Sequence, residues 1–268
     1  MDATTPAEQM PPDDAEAGVI ETSPHTAGMG RDLVWTTLTT VAVLLGNVVI
    51  ASLLAHRGAA DVFGPFNLVK RISAGLLPFL TLGLTVGVVR SIAAAAGERE
   101  RDAHRAAAVA LSLGTTLAAG LVCLLTPGPV SSLLLGVRDP ALLLALWLYS
   151  LSLVVNGLAY SFYRAELQQG RANVINISQT LLPLAVLALA PASWSAVRLL
   201  DLAAALVIAW SGGAMLLRVL AGAGALARPR ELVASGRAML AYSLPRVPGG
   251  VALGFMLAIG PTAANRAG

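Results

Sequence analysis

Three basic residues lie in or beside long apolar stretches of this chain, where a charge is costly. Lys70 and Arg71 directly precede the apolar stretch 72–89, and Arg246 lies between two prolines in the last apolar stretch. A charged group in a span costs about 2.5 to 3.5 kcal/mol on insertion scales, so an embedded charge is a candidate functional group. Cations that face a water-filled cavity attract anions such as phosphate or pyrophosphate. Lys70, Arg71 and Arg246 are therefore the predicted substrate-binding residues.

The candidate residues also have structural interpretations, which the sequence leaves open. All three cations could extend along apolar surface to the lipid headgroups, as long basic side chains do. Asn47 and Asn67 are predicted to support the cations. A polar residue in a span more often forms a hydrogen bond between helices, worth about 0.6 kcal/mol. Asn156, in the fourth apolar stretch, is expected to form such a bond.

The composition indicates that a membrane surrounds the elements that carry these residues. The chain is 56% hydrophobic and 12% charged, whereas a soluble domain is about 25% charged. Its apolar stretches approach the roughly 20 residues that cross a bilayer as a helix, and they are too long and too uniform for barrel strands. We predict an all-α polytopic membrane protein with about seven transmembrane helices. The predicted spans are residues 33–55, 72–89, 106–126, 141–162, 174–190, 202–220 and 239–259.

Four segments follow from this pattern. Residues 1–30 contain acidic residues and prolines but no Lys or Arg, which predicts a disordered cytoplasmic tail. Residues 31–222 hold a predicted six-helix bundle, and residues 223–238 form a predicted cytoplasmic loop. Residues 239–268 are predicted to begin a second, incomplete bundle.

The arginines predict which ends of the spans face the cytoplasm. One set lies before the first span and in the connections after the second, fourth and sixth: Arg31, Arg90, Arg99, Arg101, Arg105, Arg164, Arg171, Arg218, Arg228, Arg230 and Arg237. The other set is Arg57, Arg138, Arg198 and Arg266. Because cytoplasmic loops carry the excess of basic residues, the N-terminus is predicted to be cytoplasmic. We expect a multi-pass protein of a plasma membrane or bacterial inner membrane.

Signals for catalysis or for a cofactor are weak. The net charge of +3 is scattered between apolar stretches, without the basic face that nucleic-acid binding requires. One cysteine and three isolated histidines lack metal-ligand spacing. A membrane glycosyl- or acyltransferase would need a catalytic motif at a membrane face, for which Asp61 and Asp139 give little support. We therefore expect neither an enzyme nor a cofactor- or metal-binding protein.

Three segments together match a known pattern. The segment FGPFNLVKRISAGLLPFLTLGLTVGVVRSIA contributes Gly64, Phe66, Pro78, Gly83 and Arg90. The segment MLAYSLPRVPGGVALGF contributes Tyr242, Leu244, Pro245 and Pro248. The segment YRAELQQGR contributes Tyr163, Arg164, Gln168, Gly170 and Arg171. In this order they resemble the polysaccharide flippases of the multidrug/oligosaccharidyl-lipid/polysaccharide exporter superfamily, from about Arg31 to the end of the chain.

The resemblance implies an alternating-access transporter that moves an undecaprenyl-pyrophosphate-linked oligosaccharide across the membrane. It also implies that cationic residues on the second and seventh helices, here Lys70, Arg71 and Arg246, meet the pyrophosphate. Members of that family have roughly twice as many helices, in two bundles, so a homodimer or a missing C-terminal half is expected to complete the transporter. The alternatives are a multidrug exporter of the same fold and an inactive fragment or partner subunit.

Overall fold

The computed structural model describes residues 24–56, 60–221, 229–252, 254 and 256 of the chain. These residues form helices joined by short connections, without a strand among them. The helices are α1 (Pro24–His56), α2 (Ala60–Leu80), α3 (Leu84–Ala94), α4 (Glu98–Leu125), α5 (Pro127–Leu134), α6 (Pro140–Ala165), α7 (Gln169–Leu189), α8 (Ala196–Ala221) and α9 (Pro229–Ser243). A 3-10 turn, Leu244–Arg246, follows α9.

Five helices (α1, α4, α6, α7 and α8) are each long and apolar enough to cross a membrane, within the ranges given above. Helices α2 and α3, which bend by 47° where they meet, are together long and apolar enough to form a sixth span, which we call the bent span. The break is at Leu82 and Gly83, which have positive φ angles of 51° and 66°. Glycine adopts this left-handed conformation readily and leucine does so at a cost. The all-α polytopic fold predicted from the composition is therefore confirmed.

Helix α6 lies at the centre of the bundle. It contacts α2, α3, α4, α5, α7 and α8, and its buried residues include the consecutive Leu153, Val154 and Val155, which lie on different faces. A helix that is apolar on all sides is expected in such a position. The amide of Asn156 donates hydrogen bonds of 2.9 Å to the Ile175 carbonyl and the Ser211 hydroxyl, which confirms the interhelical bond expected for it.

Several predicted boundaries differ from the structure. Helix α1 begins at Pro24, so the predicted end of the tail at residue 30 falls inside a helix; residues 1–23 lie outside the described residues. Helix α2 begins at Ala60 rather than near residue 72, because the polar stretch before the apolar core is also helical. The predicted loop 223–238 is helical from Pro229, and residues 222–228 lie outside the described part. The seventh predicted span, 239–259, is only partly described.

Two ends of the bundle can be defined by its connections. We call the charged end the one where α3 meets α4, where α6 meets α7 and where α1 begins. The opposite end is where α1 meets α2, α4 meets α5 and α7 meets α8. Antiparallel packing of successive long helices follows from the short connections. Most of the arginines assigned above to the cytoplasmic set lie at the charged end.

Candidate functional site

Lys70 lies well inside a helix of the membrane-spanning bundle. Its ammonium group donates a hydrogen bond to the side-chain oxygen of Asn47 on α1. Asn47 is neutral, and no ion pair of Lys70 is present among the described side chains. The pair therefore retains a positive charge inside the span, and the support predicted from Asn47 takes the form of a direct contact.

One face of α2 carries the other polar groups predicted near Lys70. Asn67, Lys70 and Arg71 follow the spacing i, i+3, i+4, which places them on the same side of a helix. The Asn67 amide nitrogen donates a hydrogen bond of 3.1 Å to the carbonyl of Phe63, one turn earlier in its own helix, and no hydrogen bond joins it to Lys70 in the described part of the chain. Arg71 is exposed. This face is positively charged and lies away from the packed core around α6.

Glycines bring the bent span close to the helical segment that follows α9. A Cβ added at Gly75 would lie 3.0 Å from the backbone oxygen of Gly254. A Cβ added at Gly83 would lie 3.1 Å from the backbone oxygen of Ser243. Small residues at helix crossings allow such close backbone approach in membranes. The bent span and the chain from Ser243 to Gly254 are therefore neighbours between Gly75 and Gly83.

Arg246 lies beside this crossing, where it meets another arginine. Its guanidinium group lies over the ring of Tyr242, 3.9 Å from the centroid, and donates to the Tyr242 carbonyl. Arg90 on α3 lies over the same ring at 4.2 Å. The two guanidinium carbons are therefore no more than about 8 Å apart, by cation–π geometry around one ring. Neither arginine forms an ion pair with a carboxylate of the described residues.

The structure does not bring Arg246 together with Lys70 and Arg71. Arg246 lies near the level of Gly83, whereas Arg71 is closer to the opposite end of the same bent span. At about 1.5 Å per helical residue, the stretch from Arg71 to Gly83 is about 18 Å long. The predicted set divides into a Lys70–Arg71 pair and an Arg90–Arg246 pair. Arg90 was not a predicted site residue, because its partner Tyr242 is distant in sequence.

A third group of charges at the charged end is neutralised internally. Glu166, just after α6, accepts a hydrogen bond of 2.6 Å from Arg105 on α4 and another from Arg218 on α8. Arg105 also pairs with Asp102 in its own helix. Arg105, Glu166 and Arg218 line a cavity of about 610 Å³, together with Gln168. The charges stabilise the contact of α4 and α8 with the end of α6, and Asp102 and Arg105 pair with each other within α4.

One carboxylate, that of Asp201, lies within a membrane-spanning helix and was not identified from the sequence. Asp201 was placed just outside the sixth span, whose predicted start was residue 202, but α8 begins at Ala196 and contains it. The Asp201 side chain is half-buried, and its Oδ1 atom is buried without a hydrogen-bond partner in the described part of the chain. Ser195, whose hydroxyl accepts a hydrogen bond of 3.5 Å from the Arg198 N–H, is the N-cap signal that could have placed the start of the helix at Ala196 and Asp201 within it.

The fold and these charges define an all-α, multi-pass membrane protein. Comparison of the chain with protein-family models, with curated proteins and with solved structures finds no significant match. The assignment to the class of multi-pass membrane proteins therefore rests on the apolar helices.

Proposed function

We propose that this protein is a membrane transporter of the flippase type, which moves a lipid-linked oligosaccharide carrying a pyrophosphate between leaflets. The observation that carries the proposal is the contact of the Lys70 amino group, inside the bent span, with the neutral side chain of Asn47 and with no carboxylate of the described residues. An embedded cation is costly unless it faces water or an anion. A diphosphate group supplies the negative charge that this site lacks.

The Arg90–Arg246 pair supports the same proposal. It provides a second positive group, formed by Arg90 of the bent span and Arg246 beside it; the stretch of the span from Arg71 to Gly83, near which Arg246 lies, is about 18 Å long. Arginine recognises phosphate oxygens through paired hydrogen bonds. An anionic headgroup could bind the Lys70–Arg71 pair in one conformation and the Arg90–Arg246 pair in another, which is how a flippase would carry it past the apolar interior.

Orientation and partners complete the proposal. The excess of arginine at the charged end favours a cytoplasmic N-terminus in a plasma membrane or bacterial inner membrane. Alternating access needs two bodies that move against each other. We expect a second copy of the chain, or further helices after residue 268, to supply the second body.

The test uses the full chain reconstituted into liposomes with a fluorescent polyprenyl-pyrophosphate oligosaccharide. Transfer between leaflets is measured by the access of an impermeant quencher. We expect Lys70→Gln with Arg71→Gln, and separately Arg246→Gln, to slow transfer at least ten-fold. Lys70→Arg keeps the charge and should retain transfer, and Arg138→Gln, an exposed arginine at the opposite end, should leave it unchanged. Transfer no faster than in protein-free liposomes would refute the proposal.

A second candidate is ion-coupled export of a drug-like compound by the same fold, which Asp201 favours. A carboxylate embedded in α8 with an unpaired oxygen could bind a proton or a sodium ion. Asp201→Asn should then abolish the dependence of drug efflux on the ion gradient. An unaltered gradient dependence in that variant, with drug efflux present, would exclude this role of Asp201.

A further inference from the structure

Two apolar grooves run along the sides of α7 at the charged end of the bundle. The groove between α7 and α8 has a volume of about 460 Å³ and is lined by Ile175, Trp210 and Leu217. The groove between α1 and α7 has a volume of about 470 Å³ and is lined by Trp35 and Ile177. Both lie on helices that cross the membrane, so they open towards the acyl chains of lipids.

The two grooves meet at Gly170 and Val174, which line both of them. Gly170 is exposed, and a Cβ added there would meet nothing within 4 Å. At the charged end, therefore, no side chain at position 170 of α7 separates the two grooves. A molecule with two apolar chains could lie astride α7 there, with one chain in each groove.

Each groove has an arginine at this end. Arg171 lines the groove beside α8. Its Nη1 donates a hydrogen bond of 3.0 Å to the neutral side chain of Gln168. Arg31 lines the groove beside α1, where Asp32 also lies. Two arginines against one carboxylate leave a net positive charge beside the point where the grooves meet. Basic pockets between transmembrane helices bind anionic lipid headgroups.

A buried donor supplies a second, independent observation. Asn173 is 7% exposed and lines the groove beside α1. Its amide nitrogen is buried and has no hydrogen-bond partner among the described residues. A buried donor without a partner is costly, and an ester carbonyl of a glycerolipid is an acceptor that reaches this depth below a headgroup.

We propose that the grooves on either side of α7 form a binding site for one diacyl phospholipid with an anionic headgroup. Its phosphate lies over Gly170 between Arg31 and Arg171, and its two chains occupy the two grooves. This site lies on α1, α7 and α8, apart from the bent span that carries the transport proposal, and it does not depend on that proposal.

The tryptophans in the two grooves allow a direct test. Trp147 and Trp194 are replaced by phenylalanine, which leaves Trp35 and Trp210 as reporters, and the full chain is reconstituted in phosphatidylcholine. Quenching is compared between brominated phosphatidylglycerol and brominated phosphatidylcholine at equal mole fraction. We expect the anionic lipid to associate about five-fold more strongly, the contribution of one arginine near an anionic surface. Equal quenching by both lipids would overturn the proposal.

Variants separate the site from general attraction to the membrane surface. Arg31→Gln with Arg171→Gln should bring the preference to one, whereas Arg138→Gln should keep it. Gly213→Leu should remove the preference reported by Trp210, because it fills the groove beside α8, while Gly114→Leu is a matched control; a Cβ at either glycine meets nothing within 4 Å. A preference that persists in the double arginine variant, or that soluble pyrophosphate abolishes, would refute a lipid site.

A second measurement uses the unaltered sequence. Native mass spectrometry of the purified protein, after washing with detergent, should detect one retained phosphatidylglycerol per chain. The retained lipid should be lost in the double arginine variant. Complete loss of phosphatidylglycerol from the unaltered chain under conditions that keep it folded would contradict the site.

Discussion

Arg105 on α4 donates a hydrogen bond of 2.6 Å to Glu166, and this pair joins two helices at the charged end of the bundle. Arg218 on α8 donates to the other carboxylate oxygen, so one acidic side chain at the end of α6 links that helix to α4 and α8. The side chains of Arg105 and Glu166 are 7% and 13% exposed. A buried charge left without its partner costs about 3 to 5 kcal/mol.

We therefore expect Glu166→Gln to lower the stability of the folded protein by about 3 kcal/mol, because Arg105 and Arg218 would lose their counter-charge. The measurement is the thermal midpoint of the purified protein in detergent. Glu98→Gln is the control, since Glu98 is 70% exposed and also pairs with arginines, and its effect should be small. Equal midpoints for the two variants would contradict a structural role for Glu166.

The Lys70–Asn47 contact predicts a non-additive pair of substitutions. Asn47→Leu removes the acceptor of a charged donor, which should cost about 2 kcal/mol. Lys70→Met removes the charge that needs that acceptor. In the double variant the cost of Asn47→Leu should largely disappear, as a double-mutant cycle of thermal midpoints would measure. Additive effects would mean that the two side chains do not interact in the folded protein.

The crossing of α3 and α9 predicts a disulfide. A Cβ added at Gly87 would lie 3.6 Å from the Cβ of Ser243, within the usual separation of about 3.5 to 4.5 Å in disulfides. In a chain with Cys123 replaced by alanine, Gly87→Cys with Ser243→Cys should cross-link under mild oxidation. Gel mobility after protease cleavage between the two helices reports the bond.

The same cross-link tests movement. If the bent span and the segment after α9 separate during transport, the oxidised protein should lose transfer of the lipid-linked substrate and regain it on reduction. Gly114→Cys with Ser243→Cys is the negative control, because nothing lies within 4 Å of a Cβ at Gly114. Full transfer by the oxidised Gly87–Ser243 variant would show that these helices do not separate.

The arginine distribution predicts the orientation of the chain. Ala96 is exposed between α3 and α4 at the charged end, and Arg138 is exposed between α5 and α6 at the opposite end. In the background without Cys123, Arg138→Cys should react with an impermeant thiol reagent in intact cells. Ala96→Cys should react only after the membrane is permeabilised. The reverse pattern would place the N-terminus outside.

The long helices could be predicted from the sequence, because a run of about 20 apolar residues allows few other structures in a bilayer. Their ends were harder to place. Residues 98–105 contain six charged residues and were expected to form a water-exposed loop, yet they form the first turns of α4. Ion pairs within the helix, and the pair with Glu166, offset the cost of burying Asp102 and Arg105.

Only part of the candidate site could be predicted from the sequence. The residue types at Lys70 and Arg71 identify them as embedded charges, since few side chains cost more in a span. The contact of Lys70 with Asn47 and the approach of Arg90 to Arg246 could not be predicted from residue types, because each joins residues that are far apart in the chain. Only the packing of one helix against another determines which charges become neighbours.

The left-handed backbone at Leu82 and Gly83 sets the angle between α2 and α3 in the bent span. A rotation about that point would move α3 as one rod and would disturb few backbone hydrogen bonds, among them the bond of 2.9 Å from the Leu84 N–H to the Thr81 carbonyl, which crosses it. A rod of this length, about 16 Å, sweeps its far tip through about 6 Å for each 20° of rotation. Arg90 lies six residues, or about 9 Å, beyond Leu84, so the same rotation would shift its backbone by about 3 Å without unwinding either helix.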